Sequence, residues 1–277
     1  MGCELGADTG EKPMNKLWIT LTYAVFTVLL IIPLGKMTIA AFSGGLGELG
    51  SALSRPEALH AFMMTALVVV TVTLLNTLLG MMTAVYLVRG TWMSRGIRRL
   101  LNSIVDLPYA VSPVIGGLMI VLLLGPGSAA GTFFDSVGFK IVYAFPGMVI
   151  ATLFVTFPFV ARELIPLMED QGQQEEEAAI TLGAKGWTVF TRVTLPNIRW
   201  GLIYGIILCN ARAMGEFGAV SVVSGHIRGE TNTLPLHVEI LYNEYQFSAS
   251  FAVASLLLLL ALATLLIKSF YARKNAH

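Results

Sequence analysis

The sequence is poor in charge and in cysteine. Only 13% of its 277 residues are Asp, Glu, Lys or Arg, against roughly a quarter in soluble globular domains. The net charge of +1 gives no electrostatic reason to expect a nucleic-acid partner. The two cysteines, Cys3 and Cys209, show neither a metal-binding spacing nor a disulfide pattern.

Sequence motifs that carry catalysis are also missing. No Gly-x4-Gly-Lys-Ser/Thr loop, the element that cradles the phosphates of ATP, occurs in the chain. There is no nucleophile elbow and no His-Glu-x2-His metal-binding helix. We therefore expect no catalytic residue, no metal site and no cofactor in this chain. Any hydrolysis of ATP would take place in a partner.

Long uncharged hydrophobic runs dominate the sequence instead. Hydrophobic residues make up 55% of the chain, which is more apolar surface than a soluble fold can hide. Six segments approach the roughly 20 residues that a helix needs to cross a bilayer, and a lone segment in lipid must be helical. The predicted fold class is therefore all-α integral membrane, with a transmembrane domain over 17–270 between polar tails at 1–16 and 271–277. We expect spans at about 17–40, 61–88, 105–124, 141–161, 200–224 and 246–268.

The basic residues are unevenly distributed between the two sides of these spans. With both termini placed in the cytoplasm, thirteen of the 18 Lys and Arg residues lie on the cytoplasmic side, four lie outside and one lies within the membrane. Cytoplasmic loops of membrane proteins carry such an excess. We therefore expect both termini and the polar segment 162–199 to be cytoplasmic.

The polar segment 162–199 contains two helix signals. The acidic residues 175–177 suit the first turn of a short helix, where the helix dipole favours negative charge. Gly183 can end that helix in a left-handed conformation. We expect a second short helix over 186–195, ended by Pro196 because proline cannot continue helical hydrogen bonding. On composition alone, a solvated loop and a compact docking surface fit this segment about equally well.

One set of residues in this segment resembles the coupling loop of permease subunits from ATP-binding-cassette importers. The set is Glu177, Ala178, Ala179, Gly183, Leu195 and Pro196, with Val193 where the family commonly has isoleucine. The resemblance implies the six-helix type I importer fold, similar to methionine and molybdate permeases. It also implies that these residues dock into a partner ATPase, which binds and hydrolyses ATP in place of this chain.

Two further runs, 192–200 and 210–231, resemble the sulfate and thiosulfate branch of this family. The part at 212–219 is also similar to molybdate permeases, so molybdate or another oxyanion remains an alternative substrate. A third interpretation is a secondary transporter, although the paired broken helices typical of inverted repeats are not evident. The resemblance implies a bacterial inner-membrane permease with three kinds of protein partner: a second permease subunit, two ATPase subunits and a periplasmic binding protein.

Two charged residues, Arg212 and Glu216, lie within the fifth predicted span. Because they are four residues apart, they share one helix face and can neutralise each other where an isolated charge is costly. Gly215 and Gly218 beside them would permit close helix approach. Either the pair lines or gates the translocation path, or it is a structural ion pair that holds this span against a neighbour.

Overall fold

The computed structural model describes residues 13–90 and 94–274, and this part of the chain is helical without strands. Predictions for residues 1–12, 91–93 and 275–277, including Cys3 and parts of both polar tails, lie outside the described residues. Two π-helical segments, Thr27–Ile31 and Phe190–Thr194, interrupt the α-helices. The α-helices in chain order are α1 Pro13–Phe26, α2 Ile32–Ala41, α3 Gly45–Ser54, α4 Pro56–Arg89, α5 Arg95–Ala110, α6 Pro113–Leu124, α7 Ala129–Ser136, α8 Phe145–Gln171, α9 Gln174–Thr181, α10 Gly186–Val189, α11 Leu195–Met214, α12 Gly218–Ser224, α13 Leu234–Asn243 and α14 Phe247–Lys274.

Four helical segments of the described chain are long and apolar enough to cross a membrane unaided. They are Trp18–Ala41, Pro56–Arg89, Phe145–Gln171 and Phe247–Ile267. They lie at the first, second, fourth and sixth predicted spans. Helix α8 continues to Gln171 rather than ending near residue 161, so the polar segment begins later along the chain than the sequence predicts.

The third predicted span is broken in the middle. Helices Gly96–Ala110 and Pro113–Leu124 meet at a bend of 106°, which corrects the prediction of one helix over 105–124. Pro113 has no N–H to donate, and the residue before a proline favours an extended conformation; Ser112 accordingly has a ψ of 135°. Helix α6 has 12 residues, about 18 Å at 1.5 Å per residue, and is shorter than the roughly 30 Å hydrocarbon core.

The fifth predicted span is also broken, between α11 and α12. The segments Gly186–Met214 and Gly218–Ser224 are bent by 55° relative to each other. Helix α12 packs against α6 and α8. The short halves of the two broken spans, α6 and α12, therefore lie side by side.

The centre of the bundle is formed by α4, α8 and α11, which pack against one another. A Cβ atom on Gly80 would lie 2.8 Å from the Cβ atom of Val160, so α4 and α8 approach closely because Gly80 has no side chain. In the same interface, the buried Asn76 side chain donates to Thr156 Oγ1 at 2.7 Å and to Cys209 Sγ at 3.4 Å. These contacts join α4 to both α8 and α11, and interhelical hydrogen bonds in membranes contribute roughly 0.6 kcal/mol each.

Candidate functional site

The first helix predicted in the polar segment is α9, and a glycine ends it. Gly183 has a φ of +86°. Its N–H donates to the Ile180 carbonyl at 2.9 Å, and the Ala184 N–H donates to the Ala179 carbonyl at 3.0 Å. This is the Schellman arrangement of a helix C-terminus. Gly183 thus has the left-handed conformation that the sequence predicts for it.

The second predicted helix does not end at Pro196, so that prediction is wrong. Helix α10 continues through the π-helical segment into α11 without a break. At the end of the π-helical segment, the Leu195 N–H donates to the Phe190 carbonyl five residues earlier. This wider turn lies immediately before Pro196 and relieves the clash between the proline ring and the preceding turn. The polar segment is therefore continuous with α11.

Three large apolar side chains of the polar segment face away from the rest of the chain. Leu182 is 89% exposed, Trp187 is 75% exposed and Ile180 is 58% exposed. We call these three residues the apolar tip. None of the three belongs to the coupling motif, and the signal in the sequence that marks them is the presence of large apolar residues within a polar segment. Exposed apolar surface of this kind is typical of a site where another protein binds.

The coupling-motif residues fall into an exposed and a partly buried group. Exposed are Glu177, Ala178, Gly183 and Pro196. Partly buried are Ala179, Val193 and Leu195. Because α9 packs against the π-helical segment, the motif both presents a surface and holds the two halves of the polar segment together.

Glu176 connects α9 to two other elements. Its Oε2 lies 2.8 Å from Arg89 Nε, and each of the two side chains is only 15% exposed. The Arg89 N–H is not aligned with this contact, so the contact is ionic rather than a hydrogen bond. The other carboxylate oxygen, Oε1, accepts a hydrogen bond from Thr194 Oγ1 at 2.7 Å. In the sequence Glu176 is one of three similar acidic residues, and no local signal marks these partners.

The ends of α4 and α8 meet beside this ion pair. Arg89, the last residue of α4, also donates from Nη1 to the Met168 carbonyl of α8 at 3.3 Å. Arg98 of α5 donates from Nη2 to the Val88 carbonyl at 2.6 Å. Cationic side chains at carbonyls near a helix C-terminus interact favourably with the helix dipole. Arg98 therefore stabilises the end of α4, and Arg89 stabilises the end of α8.

Glu175 makes a second, exposed contact between α9 and α11. Asn197 Nδ2 donates to Glu175 Oε2 at 2.5 Å, and Gln171 Nε2 donates to the Asn197 carbonyl at 3.0 Å. Both bonds are open to solvent. Water competes for such contacts, so they hold α9 less firmly than the partly buried contacts of Glu176 do.

The charged pair of the fifth span lies at its break. Arg212 Nη1 is 2.6 Å from Glu216 Oε2, and the Glu216 side chain is 1% exposed. Glu216 Oε1 also accepts a hydrogen bond from the Ala219 N–H at 2.9 Å. Since α11 ends at Met214 and α12 begins at Gly218, the Glu216 carboxylate connects the two helices across the bend. The Arg212 side chain remains 33% exposed.

The two glycines beside this pair differ in their surroundings. A Cβ atom on Gly218 would lie 3.0 Å from the Cβ atom of Pro113, which is close helix approach of the predicted kind. A Cβ atom on Gly215 would have no heavy atom within 4 Å. Within the described residues no helix packs closely against Gly215, so close approach at that position stays a prediction.

A cluster of paired charges lies around α13. Arg228 forms an ion pair with Glu244, and His226 Nε2 lies 3.1 Å from Glu239 Oε2. His237 is buried, and its burial lowers the pKa of the imidazole below the usual 6.5, with Arg228 lowering it further. Within the described residues, no group of three or more His, Cys, Asp and Glu side chains is arranged to hold a metal ion.

Residues 76–276 match the family model described as "Binding-protein-dependent transport system inner membrane component". The chain belongs to this family. It is 47% identical over 245 residues to the sulfate transport system permease protein CysW of Escherichia coli strain K12, covering 88% of this chain and 83% of that protein. It is 45% identical over 268 residues to CysW of a Synechocystis strain, covering 96% of each.

The fold is shared with a solved importer structure. A bacterial ABC transporter that imports the acidic polysaccharide alginate contains a chain with a TM-score of 0.79 and 17% sequence identity, matched over 95% of this chain and 96% of that one. At this identity the likeness shows the fold alone. Together with the family match, it confirms the predicted fold class and the interpretation of the chain as a non-catalytic permease subunit of an inner-membrane importer.

Proposed function

We propose that this chain is a permease subunit that carries sulfate or thiosulfate across the inner membrane in an ATP-driven importer. The identity of 45–47% to CysW proteins along 88–96% of the chain carries this proposal. The match to the Synechocystis protein covers 96% of this chain, and the motifs at 192–200 and 210–231 resemble the same branch of the family. Molybdate is the alternative substrate, because residues 212–219 are also similar to molybdate permeases.

A second permease subunit completes the translocation path in this proposal. The chain is also 29% identical over 238 residues to the sulfate permease protein CysT of Escherichia coli, so named sulfate systems contain two related permeases. Helices α6 and α12 pack side by side at the two broken spans, and Leu122 and Leu123 of α6 are exposed. We propose that a CysT-like partner covers part of this exposed surface.

The apolar tip and the exposed motif residues are the proposed docking site for ATPase subunits. Leu182 and Trp187 are apolar and largely exposed, and Glu177 adds a charge beside them in sequence. Two ATPase subunits, one on each permease, bind and hydrolyse the ATP. This arrangement places the polar segment and both termini in the cytoplasm, in agreement with the excess of basic residues on that side.

A periplasmic sulfate- or thiosulfate-binding protein is the proposed partner on the opposite side. One solved structure with the same fold, at a TM-score of 0.77, is an alginate transporter in complex with a periplasmic protein that carries an alginate pentasaccharide. In this chain, the charges around α13 form a polar surface suited to a soluble partner. Binding there and ATP-driven motion at the polar segment would open the path alternately to the two sides.

The Arg212–Glu216 pair contributes to the gate rather than to a firm anion site in this proposal. Glu216 already compensates the charge of Arg212, and tight binding would slow release of the anion. The carboxylate also caps the first turn of α12, so any change in the bend alters both contacts. We expect the pair to set the angle between α11 and α12.

Reconstitution into proteoliposomes tests the proposed function. The chain is combined with its second permease and the ATPase subunits, and binding protein is added outside the vesicles. Binding protein loaded with sulfate or thiosulfate is expected to stimulate ATP hydrolysis and uptake of the labelled anion. Stimulation by molybdate-loaded binding protein alone would establish the alternative substrate. Uptake without ATPase subunits, driven by an ion gradient, would overturn the proposal in favour of a secondary transporter.

A further inference from the structure

Glu176 differs from the acidic residues next to it on α9. Glu175 and Glu177 are exposed, whereas the Glu176 side chain is 15% exposed and faces the bundle. Both of its carboxylate oxygens have a partner, Arg89 on one side and Thr194 on the other. Removing a carboxylate from water costs hydration free energy. The position of Glu176 therefore indicates a role beyond its favourable interaction with the dipole of α9.

The partners of Glu176 belong to the central helices. Arg89 is the last residue of α4 and also binds the Met168 carbonyl of α8. Thr194 is the last residue of the π-helical segment and leads directly into α11. Helices α4, α8 and α11 pack against one another. A displacement of Glu176 is therefore transmitted to all three helices at one point.

Other contacts between α9 and the bundle are weaker. The Glu175–Asn197 hydrogen bond is exposed. Gln173 Nε2 donates to the Val88 carbonyl at 3.4 Å, near the limit for a hydrogen bond. The Arg89–Glu176 pair is shielded from water, so salt screens it less than it screens an exposed pair. Among these non-covalent contacts, the one made by Glu176 is best suited to carry a displacement.

The Thr194 contact lies where the helix is irregular. The π-helical segment Phe190–Thr194 has a wider turn than the α-helices on either side of it. Such π-helical turns are rare overall but frequent at functional sites. The hydrogen bond from Thr194 to Glu176 therefore joins α9 to an irregular turn that leads directly into α11.

We propose that Glu176 is a positioning residue through which movement of α9 displaces α4, α8 and α11 as a unit, by way of Arg89 and Thr194. This inference rests on the proposed function, because ATPase subunits docked on the apolar tip supply the movement. Docking and transmission are then separate tasks. The apolar tip binds the ATPase, and Glu176 conveys its motion to the membrane helices.

The test uses the full complex in proteoliposomes and measures labelled sulfate taken up per ATP hydrolysed. Glu176→Gln removes the charge that faces Arg89 but keeps an oxygen that can accept from Thr194. We expect normal recovery of ATPase subunits with this variant, and a fall of about fivefold or more in uptake per ATP, within the range of typical coupling effects. Thr194→Val removes only the hydrogen bond from the Thr194 hydroxyl to Glu176. It is expected to lower uptake per ATP by a smaller factor.

Two further variants separate transmission from simple damage. Exchange of the pair, Arg89→Glu with Glu176→Arg, keeps the opposite charges together but loses the hydrogen bonds to the Met168 carbonyl and from Thr194, so it is expected to restore uptake per ATP only in part. Glu169→Gln is the matched control, because Glu169 is an exposed carboxylate near the end of α8. It is expected to leave uptake per ATP unchanged.

Several results would overturn the inference without affecting the proposed function. One is an unchanged ratio in both Glu176→Gln and Thr194→Val. Another is loss of ATPase subunits from Glu176→Gln, which would make Glu176 part of the docking site. Failure of the unmodified complex to take up sulfate or thiosulfate with ATP would instead count against the proposed function itself. If Glu176→Gln is poorly produced, Thr194→Val and the exchanged pair decide the question.

Discussion

The carboxylate of Glu216 lies 2.6 Å from the guanidinium of Arg212, across the break between α11 and α12. The sequence places the two residues on one turn of a continuous helix, but α11 ends between them. The same carboxylate accepts the Ala219 N–H in the first turn of α12. Through these two contacts the pair joins α11 to α12 within its own span, which is compatible with the proposed role of the pair in the gate.

Removal of either partner of this pair is expected to destabilise the complex. Arg212→Ala leaves the buried Glu216 carboxylate without its counter-charge, and Glu216→Ala also removes the cap of α12. Because Arg212 is one-third exposed, we expect about 1–3 kcal/mol for each, below the 3–5 kcal/mol of a fully buried pair. Thermal unfolding of the purified complex measures both.

The double variant checks whether the two effects arise from one interaction. Arg212→Ala with Glu216→Ala is expected to be less destabilised than the sum of the single variants, by roughly 1 kcal/mol. Glu216→Gln separates the two roles of this residue, since its amide oxygen can still accept from Ala219. Strict additivity of the single effects would show that the two side chains do not stabilise each other.

The apolar tip is expected to be required for ATPase binding. Leu182→Ser and Trp187→Ser replace large exposed apolar side chains with small polar ones, and anchors of this kind contribute about 2 kcal/mol or more at protein interfaces. Each variant should insert normally into the membrane but retain far less ATPase on co-purification. Lys185→Ser is the control, because Lys185 lies between these residues and is exposed but polar. Full ATPase recovery with both tip variants would place the docking site elsewhere.

The charge of Glu177 is expected to matter for docking as well. Glu177 is exposed, so reversal of its charge does not disturb the packing of α9. Glu177→Lys should leave the permease inserted and stable but weaken its association with the ATPase subunits, measured by co-purification at low and high salt. Salt should reduce the difference between the variant and the unmodified chain, because exposed charges are screened. Unchanged ATPase binding at low salt would remove Glu177 from the docking surface.

Local signals account for the parts of the fold that the sequence predicts. Uncharged runs mark the spans, and Gly183 marks the end of α9, because both depend on residues close together in the chain. Two prolines have opposite effects on their helices. The helix breaks before Pro113 but continues through Pro196. One proline follows an extended residue, and the other follows a π-helical turn. A sequence pattern cannot distinguish them, because the neighbouring turn decides which occurs.

Tertiary contacts account for what the sequence analysis missed. Glu176 resembles Glu175 and Glu177 in sequence, and only the position of Arg89 at the end of a distant helix makes it different. Gly215 and Gly218 also look alike in sequence, yet only Gly218 lies against another helix. Such distinctions depend on which helices become neighbours in the fold.

The left-handed glycine at the end of α9 gives a matched pair of substitutions. A Cβ atom on either Gly183 or Gly186 would meet no heavy atom within 4 Å, but only Gly183 has a positive φ, +86°. Gly183→Ala is therefore expected to destabilise this segment by about 1–2 kcal/mol through the backbone alone. Gly186→Ala is expected to have little effect. Amide hydrogen exchange over residues 174–189 compares them, and equal protection in both variants would contradict the assignment of strain to Gly183.

Acid is expected to destabilise the region around α13 through His237. Burial and then Arg228 lower the pKa of this imidazole in the folded chain below 6.5. As the pH falls below about 6.5, the unfolded chain takes up a proton that folded His237 does not, so stability decreases with decreasing pH. Stability stops decreasing only when the pH falls below the lowered pKa of His237 in the folded chain.

Thermal unfolding of the complex between pH 7.5 and pH 5.5, compared with His237→Asn, measures this contribution. The variant cannot titrate, so its stability should depend less on pH across that interval, even if it is less stable at pH 7.5. The charged groups that also act on His237 are Glu57, Arg55 and Glu244, and they remain in both proteins. An equally steep pH dependence in the variant would assign the acid sensitivity to other groups and show that His237 is protonated as readily in the folded chain as in the unfolded one.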